Sequence, residues 1–356
     1  MNDLVQLLTP AGLRVEQPHY SLDLGPDELF GLYRDMVLVR RMDTEATALQ
    51  RQGELGLWAS CLGQEAAQIG SARAQRQSDM VFPSYREHGV AWVKGVDALQ
   101  ILGLFRGVNY GGWDPRDRRF HLYTLVIASQ TLHATGYAMG VQRGDTDDAV
   151  VVYFGDGATS QGDLNEALVW ASVNAAPIIF FCQNNQWAIS VPVERQTRVP
   201  IAQRASGFGI PAVRVDGNDV LACYAVMQSA LETIREGGGP VFIEAFTYRM
   251  GAHTTSDDPS RYRIADELEQ WRAKDPIDRM RIYLQTEGIL TDEMQGALDA
   301  ESDELAAGVR SGVLGMRNPE PLDLFDHVYS EPHPLLAAER ADQATYLASF
   351  LNEAGS

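Results

Sequence analysis

The sequence predicts an α/β protein built on an open, mainly parallel sheet with helices on both faces. Two apolar runs of strand length, Val150–Phe154 and Ile178–Cys182, flank a stretch with helical spacing. Two further runs, Ala212–Val215 and Val241–Phe246, flank a second such stretch. Continuous apolar strands are typical of a parallel sheet buried on both faces, and right-handed crossovers are expected between them.

The composition is that of a large, acidic globular chain. Its 356 residues are 45% hydrophobic, so the chain can bury a large core. The net charge of −19 argues against nucleic acid binding, which needs a basic surface, and is compatible with basic partner segments. We expect no membrane association, because no apolar run approaches spanning length and the N-terminus lacks a secretory signal.

The cysteines favour a cytoplasmic setting. Cys61, Cys182 and Cys223 are odd in number and have no paired spacing. Cys182 falls inside an apolar strand, so a reduced, buried thiol is expected there.

We divide the chain into an N-terminal arm (residues 1–25), a main domain (26–330) and a C-terminal helical tail (331–356). The arm is polar and has little periodicity, and Pro26 opens the first helix with acids in its first turn. Leu122–Ala128 is interpreted as a β-like run and Val199–Phe208 as a loop. Helical spacing predicts the further helices Asp97–Val108, Ser129–Arg143, Ala265–Lys274, Ile277–Glu287, Thr291 to about Arg310, and Leu335–Leu351.

Small residues recur along the predicted helix Ser129–Arg143, at Ala134, Gly136, Ala138 and Gly140. They permit close backbone packing against another helix. The sequence leaves open whether that packing is within the core or between subunits.

Polar loops follow the two central strands. Gly155-Asp156-Gly157 ends the first and Asn184-Asn185 ends the second. Parallel strands end at the same edge, so Asp156 and Asn185 are expected side by side where open sheets bind ligands. Their oxygens suit magnesium or calcium, and a helix start predicted at Ser160 offers N–H groups to an anion. This pattern indicates a metal-bound diphosphate; two ordinary turns are the alternative.

Two more loops carry cationic or aromatic side chains to the same edge. Tyr85 and Arg86 follow a short apolar run, and an arginine suits a diphosphate because its planar fork donates two hydrogen bonds. Arg249 and His253 follow the strand Val241–Phe246, and a histidine there can bind an anion or move a proton. The alternatives are a surface Arg86 paired with Glu87 and a structural His253.

These motifs resemble those of a known family. Gly-Asp-Gly followed by Asn-Asn resembles the thiamine diphosphate motif. From about Leu29 to Arg340 the chain resembles the alpha subunit of the decarboxylating component of 2-oxo acid dehydrogenase complexes. Tyr-Arg-Met-Gly-Ala-His from Tyr248, continued by Thr-Thr-Ser-Asp-Asp-Pro, is most similar to the branched-chain type. The resemblance implies the thiamine diphosphate-binding fold.

The resemblance also implies roles for particular residues. Magnesium would be held by Asp156, Asn185 and the backbone carbonyl of Trp187. His253 would bind the diphosphate or assist acyl transfer as the catalytic residue. The cofactor-binding residues would be Tyr85, Arg86, Ile127, Gly155, Asp156, Gly157, Ala158, Asn185, Trp187, Ala188, Ile189, Arg249 and His253.

A potassium site is also implied, at Thr124, Ser129 and Gln130. The sequence departs from the branched-chain pattern nearby, because Leu125-Val126 stands where those members carry Ser-Pro.

The function implied is oxidative decarboxylation of a branched-chain 2-oxo acid with reductive acylation of the lipoyl group on the acyltransferase component. That is the 3-methyl-2-oxobutanoate dehydrogenase activity of EC class 1.2.4. A beta subunit would supply the glutamate that activates the cofactor, in an assembly of two alpha and two beta chains. The alternatives are the same subunit of a pyruvate or acetoin dehydrogenase complex, and a non-catalytic module that binds magnesium and a nucleotide diphosphate.

Overall fold

The computed structural model describes residues 4–144 and 146–353. The first three residues of the predicted arm and the last three of the predicted tail lie outside this range. The strands of the described part are β1 (Met80–Phe82), β2 (Val150–Gly155), β3 (Ile178–Asn184), β4 (Trp187–Ala188), β5 (Val191–Pro192), β6 (Ala212–Asp216) and β7 (Val241–Phe246).

Helices connect and flank these strands. The helices among the described residues are α1 (Pro26–Arg51), α2 (Glu65–Arg73), α3 (His88–Val93), α4 (Ala98–Arg106), α5 (Pro115–Arg118), α6 (Ser129–Arg143), α7 (Gly162–Val173), α8 (Ile201–Ser206), α9 (Val220–Arg235), α10 (Ala265–Arg272), α11 (Pro276–Thr286), α12 (Asp292–Gly315) and α13 (Pro334–Glu353). Short 3-10 helices cover Asp156–Ser160, Val193–Arg195, Pro259–Arg261 and Asp323–Phe325.

Five of the described strands form one parallel sheet in the order β1-β2-β3-β7-β6, and β4 and β5 form a separate antiparallel pair. The connection from β2 to β3 runs in the opposite direction across the sheet to the connection from β6 to β7. Right-handed crossovers therefore place α7 and α9 on opposite faces. The direction reverses between β3 and β7, and such a reversal opens a crevice at the carboxyl ends of the strands.

The core divides between the two faces of the sheet. On one face Val152, Phe154 and Phe180 pack with Ala134 of α6 and Leu168 of α7. On the other face α9 packs on β3 and β7, and α2 packs on α9. The expected fold class, a mainly parallel sheet with helices on both faces, is confirmed.

The chain separates into two compact units, one up to Leu314 and the other from Gly315 onward. In the first unit, the segment before α1 lies along the sheet edge: Val5 bridges to Val215 of β6, and the N–H groups of Leu7 and Leu8 donate to Asp219 at 2.7 and 2.5 Å. The second unit contains α13. The predicted division into arm, domain and tail stays a prediction.

Three local predictions were wrong. Ser160 does not cap a helix: it ends a 3-10 turn, and α7 begins at Gly162 without a side-chain cap. The run 122–128 forms no strand, because Leu125 and Val126 project from a loop with 67% and 71% of their surface exposed. The segment 199–208 contains α8, whose Ile201 and Ala205 are buried one turn apart.

The small residues of α6 divide between two environments. Ala134 and Ala138 are buried in the core, whereas a Cβ at Gly136 or Gly140 would meet open space. Packing within the core, one of the two alternatives left open by the sequence, therefore applies to the two alanines and not to the two glycines. All three cysteines are buried and free, as expected. The described residues include no helix long and apolar enough to cross a membrane.

Candidate active site

A cavity of about 220 Å³ lies where the carboxyl ends of β2, β3 and β7 meet. This is the crevice that the strand order creates. Its lining residues are Gln64, Ser84, Tyr85, Arg86, Glu87, Ile127, Ala128, Gln130, Phe154, Gly155, Asp156, Gly157, Ala158, Gln161, Gln183, Asn185, Trp187, Ala188, Ile189, Arg249 and His253.

Asp156 provides a buried carboxylate directly after β2. Among side chains, Gln196 contacts it, donating from Nε2 to Oδ2 at 2.7 Å. Burial raises the pKa of Asp156 to about 6, and this outweighs the lowering by Gln196 and by nearby backbone N–H groups, including that of Asn185. A cation beside this carboxylate would favour its ionised form.

Asn185 and the hairpin that follows β3 form the opposite wall. The Asn185 Nδ2 donates to Gln64 Oε1 at 3.1 Å, and its Oδ1 accepts the Trp187 N–H at 3.3 Å. The guanidinium of Arg249 donates to the carbonyl oxygens of Trp187 and Ile189 at 2.7 and 2.8 Å. The loop after β7 is thereby fixed to the hairpin after β3.

Three basic groups meet at one end of the cavity. His253 Nδ1 lies 3.4 Å from both Arg86 Nη2 and Arg249 Nη1. Arg86 also donates to the carbonyl oxygens of Ser60 and His253, and its guanidinium lies 5.5 Å from the centre of the Tyr85 ring. Both arginines are buried, so the surface interpretation of Arg86 was wrong. Such a cluster favours a bound anion with several oxygens.

The proximity of these groups shifts their ionisation. Burial, reinforced by Arg86 and Arg249, lowers the pKa of His253 to about 4. Burial and Arg86 lower the pKa of Arg249 to about 10. His253 is therefore neutral near pH 7. Because the arginines donate toward Nδ1, the ring hydrogen belongs on Nε2, which is then a donor.

The backbone around the cavity is strained. Ala128, Gln186 and Ile189 have φ values of 70°, 71° and 55°, in the left-handed region that side chains with a Cβ rarely adopt. Each such residue costs on the order of 1–3 kcal/mol and tends to occur where function constrains the chain. Gly157 allows a close approach instead, because a Cβ there would lie 2.9 Å from the Ala188 Cβ.

The structure brings every cofactor-binding residue predicted from the sequence to this one cavity. Of the three candidate potassium ligands, Gln130 lines the cavity and its Nε2 donates to the carbonyl of Tyr153 at 2.9 Å. Ser129 Oγ donates to the Val126 carbonyl at 2.9 Å, and the Thr124 N–H donates to the Ser84 carbonyl at 3.3 Å. Ser129 and Thr124 are not part of the lining.

Sequence reasoning missed several polar lining residues. Glu87 follows Arg86, and Gln183 precedes the Asn-Asn pair, so both stand next to residues that the motifs singled out. Gln64 directly precedes α2, and its Oε1 accepts from Asn185, a contact that the sequence did not indicate. Gln196 is not part of the lining, and the sequence gave no indication of it because its contact with Asp156 depends on the tertiary fold.

The residues present fit a metal-bound diphosphate. No group of three His, Cys, Asp or Glu side chains in the described chain could hold a metal, so an ion at Asp156 would need amide, carbonyl and ligand oxygens. Such a mixed set is what Asp156, Asn185 and a diphosphate offer. Gln64 Nε2 and Arg249 Nε are buried lining atoms that lack a protein partner and can donate to a ligand.

The fold and the site together define an α/β protein in which a buried carboxylate, an amide and two arginines line one cavity at the carboxyl edge of a parallel sheet. Residues 33–307 match the family model described as "Dehydrogenase E1 component". The chain belongs to this family, which is thiamine diphosphate-dependent. The family resemblance of the sequence motifs is thus confirmed.

Relatives extend over nearly the whole chain. A 3-methyl-2-oxobutanoate dehydrogenase subunit alpha of Mycobacterium tuberculosis is 46% identical, covering 97% of this chain and 94% of the relative. A pyruvate dehydrogenase E1 component subunit alpha of Acholeplasma laidlawii is 37% identical over 91% and 95% of the two chains. A 2-oxoisovalerate dehydrogenase subunit alpha of Bacillus subtilis is 36% identical over 88% and 98%.

Proposed function

We propose that this chain is the alpha subunit of a branched-chain 2-oxo acid dehydrogenase that decarboxylates 3-methyl-2-oxobutanoate and passes the acyl group to a lipoyl domain. The observation that carries the proposal is the single cavity that joins Asp156 and Asn185 to the cluster of Arg86, Arg249 and His253. The choice of a branched substrate rests on relatives with that name at up to 46% identity across the chain. A pyruvate or acetoin enzyme is the alternative, which the pyruvate relative at 37% identity keeps open.

We assign magnesium to Asp156, Asn185 and the backbone carbonyl of Trp187. The Trp187 carbonyl also accepts from Arg249, and a carbonyl oxygen has a second lone pair for the ion. A potassium ion at Thr124, Ser129 and Gln130 is a weaker assignment, because only Gln130 lines the cavity. The buried Oε1 of Gln130 lacks a protein partner, which supports some ligand there.

Thiamine diphosphate, when bound, supplies the nucleophilic carbon and the electron sink for decarboxylation. Arg86 and Arg249 neutralise and orient the diphosphate, because both are buried and already held by carbonyl oxygens. His253 is neutral at working pH and donates from Nε2 to an oxygen of the diphosphate or of the acyl group. Ile127 and Trp187 supply apolar walls to the cavity.

We also propose a beta chain as an obligatory partner, in an assembly of two alpha and two beta subunits. The carboxylates lining the described cavity are those of Asp156 and Glu87. Glu87 already accepts from Ser84 at 2.8 Å and from Gln183 at 2.7 Å. Asp156 is assigned to the ion and Glu87 to these two contacts, so we assign the activating glutamate to the partner. The buried free thiols accord with a reducing, cytoplasmic setting.

The test is turnover by the chain alone and with its beta partner, in the presence of thiamine diphosphate and magnesium. We expect no decarboxylation by the chain alone and a higher kcat/KM for 3-methyl-2-oxobutanoate than for pyruvate or acetoin in the assembled enzyme. Preference for pyruvate or acetoin would move the assignment to that complex. Binding of ADP with magnesium, but not of thiamine diphosphate, by the assembled protein would replace the proposal with a nucleotide-binding module.

A further inference from the structure

His88 is a buried histidine that the proposed chemistry does not use. It lies at the start of α3, two residues after Arg86, and none of its surface is exposed. Its Nε2 lies 2.8 Å from the carbonyl oxygen of Ala59, and its Nδ1 lies 2.8 Å from the hydroxyl of Tyr123. Both ring nitrogens are therefore occupied by neighbouring loops.

The two contacts determine the tautomer of His88. The Ala59 carbonyl can only accept, so Nε2 carries the hydrogen and Nδ1 accepts from the Tyr123 hydroxyl. Burial lowers the pKa of His88 to about 3, and burial raises the pKa of Tyr123. The neutral ring and the protonated hydroxyl that these hydrogen bonds require are consequently the forms present at neutral pH.

The ring of His88 also joins an aromatic cluster. It stacks on Trp58 with ring centres 4.2 Å apart, and it meets Phe105 and Tyr123 edge to face at 5.8 and 5.6 Å. The Trp58 indole N–H donates to the buried carboxylate of Asp43 at 2.7 Å. The His88 ring is thereby packed against three other aromatic rings.

The three segments that meet at His88 each reach the candidate active site. Segment 58–60 presents the Ser60 carbonyl, which accepts from Arg86. The loop before α3 contains Tyr85 and Arg86 themselves, and Tyr123 begins the loop that ends in Ile127 and Ala128. That last loop forms no strand, and Leu125 and Val126 beside it are exposed. Before Ile127, this loop is attached by the Tyr123 hydroxyl on His88 and by the Thr124 N–H, which donates to the Ser84 carbonyl at 3.3 Å.

We propose that His88 is a positioning residue: it accepts the Tyr123 hydroxyl hydrogen bond and so holds the Ile127 wall against the arginine side of the cofactor cavity. The inference rests on the proposed function, because it takes thiamine diphosphate as the ligand of that cavity. His88 touches no reacting group. It acts through Tyr123 and the loop that Tyr123 begins.

Paired substitutions separate the two hydrogen bonds of the ring. In H88N, the side-chain oxygen stands near the former Nδ1 and still accepts from Tyr123, but the donor to Ala59 is lost. In H88Q, the amide nitrogen reaches the Ala59 carbonyl, and the acceptor for Tyr123 is lost. Y123F removes only the hydroxyl. Y110F is the matched control, because Tyr110 is 86% exposed.

The measurement is the Kd of thiamine diphosphate with magnesium, by calorimetry on the enzyme assembled with its beta partner, together with deuterium uptake by residues 121–128. We expect H88Q and Y123F each to weaken thiamine diphosphate binding about tenfold and to raise deuterium uptake by residues 121–128. The H88Q/Y123F double variant should bind no more weakly than the single variant with the larger Kd, because both substitutions remove the same hydrogen bond. H88N and Y110F should stay within about twofold of wild type.

Two results would overturn the inference while leaving the proposed function intact. One is wild-type affinity in both H88Q and Y123F; the other is equal weakening in H88N and H88Q, which would mean that loss of the stacked ring alone matters. Melting temperatures without cofactor distinguish a general loss of packing, which both His88 variants share, from the affinity change, which only H88Q should show. Failure of the wild-type enzyme to bind thiamine diphosphate would instead count against the proposed function.

Discussion

The two strand–helix–strand units, β2–α7–β3 and β6–α9–β7, are built alike, and each carries an aspartate beyond its first strand. Asp156 follows β2, and Asp219 stands three residues after β6. Both carboxylates are buried, and burial raises the pKa of each to about 6. Position, burial and pKa therefore do not show which of the two aspartates is the functional one.

Their hydrogen bonds differ. Asp219 Oδ2 accepts from the N–H groups of Leu7 and Leu8, and its Oδ1 accepts from those of Leu221 and Ala222 at 3.0 Å each. It caps α9 and holds the N-terminal segment, so its acceptor capacity is used within the fold. Asp156 lines the cavity, and Gln196 is its side-chain donor. A raised pKa therefore does not distinguish a functional from a structural carboxylate here, whereas free acceptor capacity does.

The largest effect is expected when the same substitution, aspartate to asparagine, is made at Asp156 and at Asp219. D156N should weaken binding of thiamine diphosphate with magnesium by more than about 100-fold, because a neutral amide replaces the anionic ligand of the ion. D219N should leave that affinity within about threefold but destabilise the fold by roughly 2 kcal/mol, because an amide cannot accept four N–H hydrogen bonds. Calorimetry on the assembled enzyme measures the first, and denaturant unfolding measures the second.

The contrast between the two aspartates would fail if D156N lowered stability and D219N lowered cofactor affinity. The apo stability of D156N should be equal to or above that of wild type, since the substitution removes a buried carboxylate whose ionisation burial opposes. A D156N chain that unfolds as easily as D219N would mean that Asp156 is structural as well.

Two buried arginines show the same contrast between a structural and a functional role, and a smaller change in cofactor affinity is expected from substituting them. Arg279 donates to Asp216 and to the Leu8 carbonyl at 2.8 and 2.9 Å. Arg249 makes its closest contacts with backbone carbonyl oxygens, beside Arg86 and His253. R249M should weaken cofactor binding about 30-fold, the loss expected for charge-assisted hydrogen bonds to a diphosphate, while R279M should lower stability instead.

The readouts are the Kd of thiamine diphosphate and the melting temperature without it. If R279M lost affinity as strongly as R249M, Arg279 would act on the site as well as on the fold, and the contrast between the two arginines would fail.

The common plan of the two units was predictable from the sequence, but the environments of their aspartates were only partly so. Because parallel strands end at one edge, the loops at Asp156 and Asn185 could be placed together without coordinates. The helix-capping role of Asp219 follows a local pattern, since an aspartate before an apolar periodic run is a typical N-cap. What the sequence did not indicate was that Asp219 also binds Leu7 and Leu8, because that contact depends on the tertiary path of the N-terminal segment.

Failures elsewhere have the same physical origin. Leu122–Ala128 has the composition of a strand, but the structure leaves Leu125 and Val126 exposed beside the cavity, and tertiary context overrides strand propensity. Ser160 has the residue type of a cap, yet the chain forms a tight 3-10 turn there after Asp156. The contact of Gln196 with Asp156 joins a strand end to a loop beyond the β4–β5 hairpin, and no local pattern encodes it.

The pH dependence of stability gives a third test. Because the folded-state pKa of Asp156 is raised to about 6, its protonated form is favoured in the fold, and the stability that this contributes is lost as pH rises through about 6. Relative to D156N, the wild-type chain without cofactor should gain about 1 kcal/mol as pH falls from about 7 to about 5. The contribution of Asp219 cancels in this difference, since both proteins retain it.

Denaturant unfolding of both proteins at several pH values measures this difference. When magnesium and thiamine diphosphate are added to the assembled enzyme, the pH dependence of the difference in stability should reverse its sign. A bound cation favours the ionised carboxylate, so stability should then fall as Asp156 is protonated. An unchanged pH profile on cofactor addition would show that no cation lies beside Asp156.

The smallest expected effect concerns the close approach that Gly157 permits. A Cβ at Gly157 would lie 2.9 Å from the Ala188 Cβ, so G157A should push the loop after β2 away from the β4–β5 hairpin. Asp156 begins the first of these segments and Asn185 lies just before the second, so we expect about threefold weaker binding of thiamine diphosphate with magnesium. G162A is the matched control, because a Cβ there meets nothing within 4 Å.

The physical reason can be tested by rescue. A188G removes the atom that the new methyl group would strike, so the double variant G157A/A188G should bind within about 1.5-fold of A188G alone. If G157A still weakened binding in the A188G background, the effect would come from backbone restriction at position 157 rather than from contact between the loops. The separation of the loops that contain Asp156 and Asn185 would then not be set by this contact.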